Sequence, residues 1–188
     1  MPKYAWFNPS ANPSPILGWL DTDNGWPNLP PEDALLLLTD TQWATRDSQA
    51  WQVQNRQLTP APDPSLADLK TAKAAAINAS CQAQIFAGFT SSALGNAYTY
   101  PAKDRDQSNL AASVLASLLP NLPAGWTTSF WCMNATGAWA YVAHTAVQIQ
   151  QVGQDGKTAV IAALSKNADL QQQIVNATTA TELAAITW

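Results

Sequence analysis

Cysteine and histidine are nearly missing from this sequence: Cys81, Cys132 and His144 are the whole set. Two thiols without Cys-x-x-Cys spacing build neither a zinc site nor a disulfide framework, and one imidazole alone makes no histidine-based metal site. Both cysteines are expected to be small buried hydrophobes, and no metal is expected. Charge is scarce too. Only 12% of residues are charged, the formal net charge is −4, and the 9 lysines and arginines never cluster. Nucleic-acid binders present a basic stripe, so that class is excluded. No apolar run nears the roughly 18 residues that cross a bilayer; the leucines at 35–38 stop far short, and no membrane insertion is expected. The opening "MPKYAWFNPS" has one lysine and no apolar segment after it, so no secretory leader is expected. The phosphate-binding patterns GxxxxGK[ST] and GxGxxG are absent, as is the GxSxG elbow. No cofactor and no catalytic residue are expected.

What is present falls into two parts. Hydrophobic residues make up 47% of the chain, enough for a packed core. The first 64 residues carry ten of the 13 prolines and five of the 9 tryptophans, namely Trp6, Trp19, Trp26, Trp43 and Trp51. From Ser65 the chain turns alanine-rich. Between them, "LTPAPDPS" (58–65) alternates prolines into an extended connector, which predicts units at 1–60 and 65–188. In the first unit, "KYAWFN" and "ILGWL" read as short strands and "LPPEDALLLLTD" as a turn and a buried strand. "TDTQWATR" carries a helix cap signal, and "AWQVQNRQLTP" a hairpin around Asn55-Arg56. So short a part is expected to need outside support.

The second unit is predicted to be mainly helical. Helices are expected from Ser65 to about Gly88, where Leu66, Leu69, Ile77, Cys81, Ile85 and Phe89 fall near one face, and from about Asp104 to Leu119, where Leu110, Val114, Leu115, Leu118 and Leu119 do. Beyond Thr145 a third helix is expected to weaken or break at "GQDG" (153–156). Thr179 and Glu182 have capping-box spacing for a last one. Two short hairpins are predicted, near 89–100 and across "NATG" within 126–142. The fold class is thus α+β: a small β-rich N-terminal module, then a mainly helical domain with two short β-hairpins.

The polar stretch "GFTSSALGNAYTYPAKDRDQSNL" (88–110) invites a chemical reading. Asp104 and Asp106 stand two apart at a helix start and point about 200° away from each other, which is poor for paired acid-base work. A hairpin turning near Gly95-Asn96 explains more residues. Gly88 stops a helix, Tyr98 and Tyr100 share one side of a strand, and Asp104 or Asp106 caps the next helix. Gln107 and Asn109 are expected to tie the hairpin to the helix by side-chain hydrogen bonds, and His144 is expected to be a structural group beside a helix cap. Gly88, Gly95, Asp106, Gln107 and His144 are therefore expected to fix shape.

"INASCQAQIFAGFTSSALGNAYTYPAKDRDQSNLAASV" resembles an uncharacterised domain found at the C-termini of tailed-bacteriophage tail-fibre proteins and in small proteins encoded beside them. The matching residues are Ile85, Gly88, Phe89, Ser92, Ala93, Leu94, Gly95, Tyr100, Pro101, Asp106, Gln107, Asn109 and Leu110. Trp139, His144, Thr145, Gln148, Val152 and Gly153 continue the likeness, which covers about 65–188. More weakly, Tyr4, Trp6, Pro31–Ala34, Thr39, Asp40 and Trp43 resemble the N-terminal part of tail-fibre assembly proteins. The resemblance brings no catalytic residue. It implies a chaperone or accessory protein that binds the trimeric C-terminal region of a phage tail-fibre protein in the host cytoplasm. The alternative is a structural subunit of baseplate or fibre that stays in the virion and serves host attachment. An enzyme acting on cell-surface glycans is a third reading, which lacks an acid pair because Glu182 is the only glutamate after Ser65. The N-terminal tryptophans, with Tyr98 and Tyr100, are candidate partner contacts, since aromatic residues anchor interfaces. The tryptophans serve equally well as that unit's own small core.

Overall fold

A computed structural model describes residues 1–24 and 28–188 of the chain. It divides into two compact units, Met1–Pro64 and Ser65–Trp188.

The first unit is built on one antiparallel sheet. Strands β1 (Lys3–Phe7), β2 (Ser14–Asp21), β3 (Leu35–Leu37), β4 (Trp51–Gln54) and β5 (Gln57–Pro60) lie in the order β3-β1-β2-β4-β5. Asn55 and Arg56 both take positive φ, 52° and 58°, which is the turn geometry whose twist suits a two-residue hairpin. Helix α1 (Asp40–Ala44) starts at Thr39, whose hydroxyl accepts the Gln42 N–H while the Gln42 side chain accepts the Thr39 N–H. Ala5, Phe7, Leu20, Leu35 and Val53 are buried, so alternate strand positions give this unit an apolar face of its own.

The second unit combines helices with a sheet. Helix α2 (Leu66–Phe86) is capped by Ser65 and Asp68. After it come β6 (Phe89–Ser91), β7 (Tyr98–Tyr100), α3 (Asp104–Ser117), β8 (Thr127–Met133), β9 (Trp139–Thr145), α4 (Ala146–Asn176) and α5 (Ala180–Ala185). The expected fold class needs correction here. The two hairpins are not separate ornaments on a helical domain: Thr99 of β7 pairs with Met133 of β8, joining them into one four-stranded sheet, β6-β7-β8-β9. Together with the five-stranded sheet of the first unit, sheet structure runs through both halves of the chain. The pairing that makes the second sheet is long-range, and no local pattern announces it.

Its inner face carries Phe89, Tyr100, Phe130 and Cys132, buried against Leu110 of α3 and Ile149 and Val152 of α4. A second cluster, Ile77, Leu170, Ile174, Leu183 and Ile186, forms where α2, the far half of α4 and α5 meet.

The expected break at "GQDG" does not occur, for α4 runs 31 residues without interruption. Packing overrides propensity at both glycines. A Cβ on Gly153 would stand 2.7 Å from Val114 Cγ2, and one on Gly156 would stand 2.8 Å from the Phe89 ring. Hydrogen at these positions lets α3 and β6 approach the α4 backbone.

The start of α3 also departs from expectation. Neither Asp104 nor Asp106 is the N-cap; that position is Lys103, and Asp106 reaches back from the first turn to accept the Lys103 N–H at 3.1 Å. A carboxylate there still complements the positive end of the helix.

Candidate functional site

Helix α3 was expected to bury Leu110, Val114, Leu115, Leu118 and Leu119 on one face. Only Leu110 is buried; Leu115, Leu118 and Leu119 are 66%, 63% and 57% exposed. On the facing helix, Ile161 and Leu164 of α4 are each 51% exposed. The helices lie close at Gly153 and Val114, then leave an open apolar groove of about 690 Å3 between them. Leu110, Val114, Leu115, Leu118, Val160 and Ile161 line it, and Gln107, Gln150, Gln154 and Lys157 supply its polar rim. Gln150 Nε2 is tied to the Ser117 hydroxyl at 3.1 Å, which braces one end. An apolar groove with a polar rim is the usual form of a protein-binding surface.

A second exposed feature lies on the outer face of the β8–β9 hairpin. Trp131 stacks on Trp139 with ring centroids 6.0 Å apart and planes at 14°, and meets Tyr141 at 4.9 Å and 56°. Trp131 and Tyr141 are direct cross-strand partners. These rings also form one wall of a cleft of about 490 Å3, whose other side is the N-terminal half of α3.

The one histidine is hydrogen-bonded through both ring nitrogens inside the fold. His144 is fully buried; its Nδ1 lies 2.8 Å from the Val142 carbonyl and its Nε2 lies 2.8 Å from the Tyr100 hydroxyl. A carbonyl only accepts, so Nδ1 carries the proton and Nε2 accepts from Tyr100 O–H. Desolvation lowers the His144 pKa from its ordinary value, and burial, with Cys132 beside it, pushes the Tyr100 phenol well above its own. Desolvation likewise raises the Cys132 thiol. All three groups are therefore neutral near pH 7. Among the described residues no group of three or more His, Cys, Asp or Glu is arranged to hold a metal ion, and no helix is long and apolar enough to cross a membrane.

Residues 68–187, nearly all of the second unit and more than half of the chain, match the family model described as Domain of unknown function (DUF4376). The chain belongs to this family. No curated protein and no solved structure matches the sequence. The groove, the aromatic ladder and the Tyr100–His144 pair all lie within the DUF4376 region.

The residues singled out from sequence are dispersed. Gly88, Gly95, Asp106, Gln107 and His144 all belong to the DUF4376 region, where each shapes a junction. Gly88 has φ of 94°, and a Cβ there would strike the Tyr100 carbonyl oxygen. Gly95, φ of 88°, turns the loop between β6 and β7 with open space around it. Gln107 Nε2 donates to the Ala102 carbonyl at 2.8 Å, holding the loop before α3. Tyr98 is half-buried, packed on the sheet core. Tyr100 is a correction: with no exposed surface it offers a partner nothing.

In the first unit Trp6 is 37% exposed, and Trp19, Trp43 and Trp51 are half-buried. Trp43 lies beneath the Lys3 ammonium and Arg46 guanidinium, at 5.2 and 4.4 Å from its ring centroid, and Trp51 Nε1 donates to the Thr45 carbonyl at 3.3 Å. Trp26 lies outside the described residues. Sequence reading passed over Trp131, Trp139 and Tyr141 as surface groups, although their alternation with Phe130, Cys132 and Val142 places them on the opposite face of the strands.

Proposed function

We propose that this DUF4376 protein is a binding protein without catalytic activity, acting as a tail-fibre assembly chaperone or accessory factor in a tailed bacteriophage. The open groove between α3 and α4 is the observation that carries the binding part of this reading. A monomeric protein gains nothing by leaving Leu115, Leu118 and Ile161 in water, since each would contribute roughly 1.5–3 kcal/mol if fully covered. A partner that fills the groove collects that free energy. The sequence resemblance of the DUF4376 region to tail-fibre C-terminal domains supports a fibre protein as the partner, with its trimeric C-terminal region as the part held. The host cytoplasm, where fibres are made, is the proposed place of action.

The test is co-expression of a tail-fibre protein from the same genome with and without this chain. The chaperone reading expects soluble trimeric fibre only when the chain is present. The alternative, a structural subunit of baseplate or fibre, expects the chain in stoichiometric amount in purified particles by mass spectrometry; its absence from them, with fibre folding dependent on it, favours the chaperone.

A further inference from the structure

Across the cleft from Trp131 and Tyr141, helix α3 presents Asp106, Asn109 and Ser113. Spacings of three and four residues put all three on one helical face. This flank of α3, beside the apolar face that buries Leu110, is polar, and a cleft of about 490 Å3 lies between it and the rings. Opposite stand two aromatic rings that keep substantial exposure, 39% for Trp131 and 73% for Tyr141, with the Ser129 side chain beside them. The cleft therefore has an aromatic wall and a wall of hydroxyl, amide and carboxylate groups.

A ligand that uses both walls needs an apolar face and a rim of hydrogen-bonding groups. Charge narrows the choice. Asp106 is the one ionised group lining the cleft, so phosphorylated, sulfated or carboxylated ligands meet repulsion and no cation. An organic ammonium would satisfy the rings and Asp106 while leaving Asn109, Ser113 and Ser129 without partners. A neutral sugar ring engages all of them: its C–H face packs on Trp131 and Tyr141, and its hydroxyls reach the helix. Asp106 is prepared for this. Its Oδ2 accepts the Lys103 N–H, which fixes the carboxylate, and among the described residues its other oxygen makes no hydrogen bond. The volume lies in the small-ligand range of about 300–1,000 Å3.

We infer that the cleft between α3 and the β8–β9 hairpin binds a neutral hexopyranoside, stacked on Trp131 and Tyr141 and hydrogen-bonded by Asp106, Asn109 and Ser113. This site is separate from the groove between α3 and α4, and its failure would leave the fibre-binding proposal standing.

The experiment titrates the full chain with methyl α-D-glucopyranoside, methyl β-D-galactopyranoside, N-acetyl-D-glucosamine and cellobiose, following assigned indole and side-chain amide NMR signals. Tetramethylammonium chloride and sodium phosphate serve as controls. At least one sugar should shift the Trp131 indole and the Asn109 amide saturably. Asn109→Ala, at an exposed helix position, should keep the melting temperature and weaken that sugar about tenfold or more; Trp131→Leu should do the same. The inference is overturned if none of the sugars moves these signals, if binding survives both substitutions, or if tetramethylammonium saturates the cleft where sugars do not.

Discussion

With its Nδ1 proton committed to the Val142 carbonyl and its Nε2 accepting from Tyr100, His144 has no solvent and no anion to stabilise a second proton. Its pKa is lowered in the fold by desolvation, whereas the unfolded chain titrates near the ordinary value of about 6.5. As pH falls through that value the unfolded chain takes up a proton that the native chain refuses, so this group's contribution is present above about pH 6.5 and lost progressively below it. Urea midpoints should decline on acidification below that point, and His144→Asn should flatten the decline. Tyr100→Phe leaves Nε2 buried without its donor and should cost about 1–3 kcal/mol at neutral pH. Glycines at the same scale separate by what surrounds them. Gly88→Ala meets both a positive φ and the Tyr100 carbonyl and should be severely destabilising, while Gly95→Ala, with the same φ but open space, should cost only about 1–2 kcal/mol. The place of His144 at the end of a strand, just before a helix cap, was legible in the sequence. Its partner was not, because Tyr100 is 44 residues away and reaches it only through strand pairing that local residues do not encode.

Elements with strong local chemistry were legible and their long-range pairing was not. The caps at Thr39, Ser65, Thr145 and Thr179 each lie where a hydroxyl residue precedes a helix with an acceptor side chain three positions on, a pattern readable without a fold. Helix α4 is the counter-example. Two glycines in four residues argue for a break, yet the neighbours that need them, Val114 and Phe89, come from other elements. Ordinarily Gly→Ala inside a helix gains about 1 kcal/mol. Gly156→Ala should instead lose about 1–3 kcal/mol by overpacking, because the Phe89 ring is held at 5.5 Å on Tyr100 and cannot withdraw. Gly153→Ala should be milder, since half-buried Val114 borders the open groove and can rotate. Thermal melts of both variants check the order. The outward face of α3 escaped prediction for a related reason: Leu110, Val114, Leu115 and Leu118 have the spacing of a core stripe, and periodicity does not say how much of a stripe the fold covers.

The chain as a whole is two units joined at Pro64 and Ser65, and the DUF4376 region occupies the second. That unit holds both a cluster in which α3, α4 and the sheet bury apolar residues together and an all-helical one at α2, α4 and α5, so the fragment 65–188 should unfold cooperatively on its own, as a single denaturation transition seen by fluorescence and circular dichroism would verify. The proposed function places binding in the same unit, through a groove whose exposed leucines are not needed for folding. The most direct measurement is the affinity of the purified chain for the trimeric C-terminal region of a tail-fibre protein, compared with Leu118→Glu and Ile161→Glu variants by titration calorimetry. Both substitutions sit at exposed positions and should change the melting temperature little. Saturable binding by the native chain is expected, with a loss of about 2 kcal/mol or more in each variant. Binding unaltered in both variants, or no binding by the native chain, would contradict the proposed function.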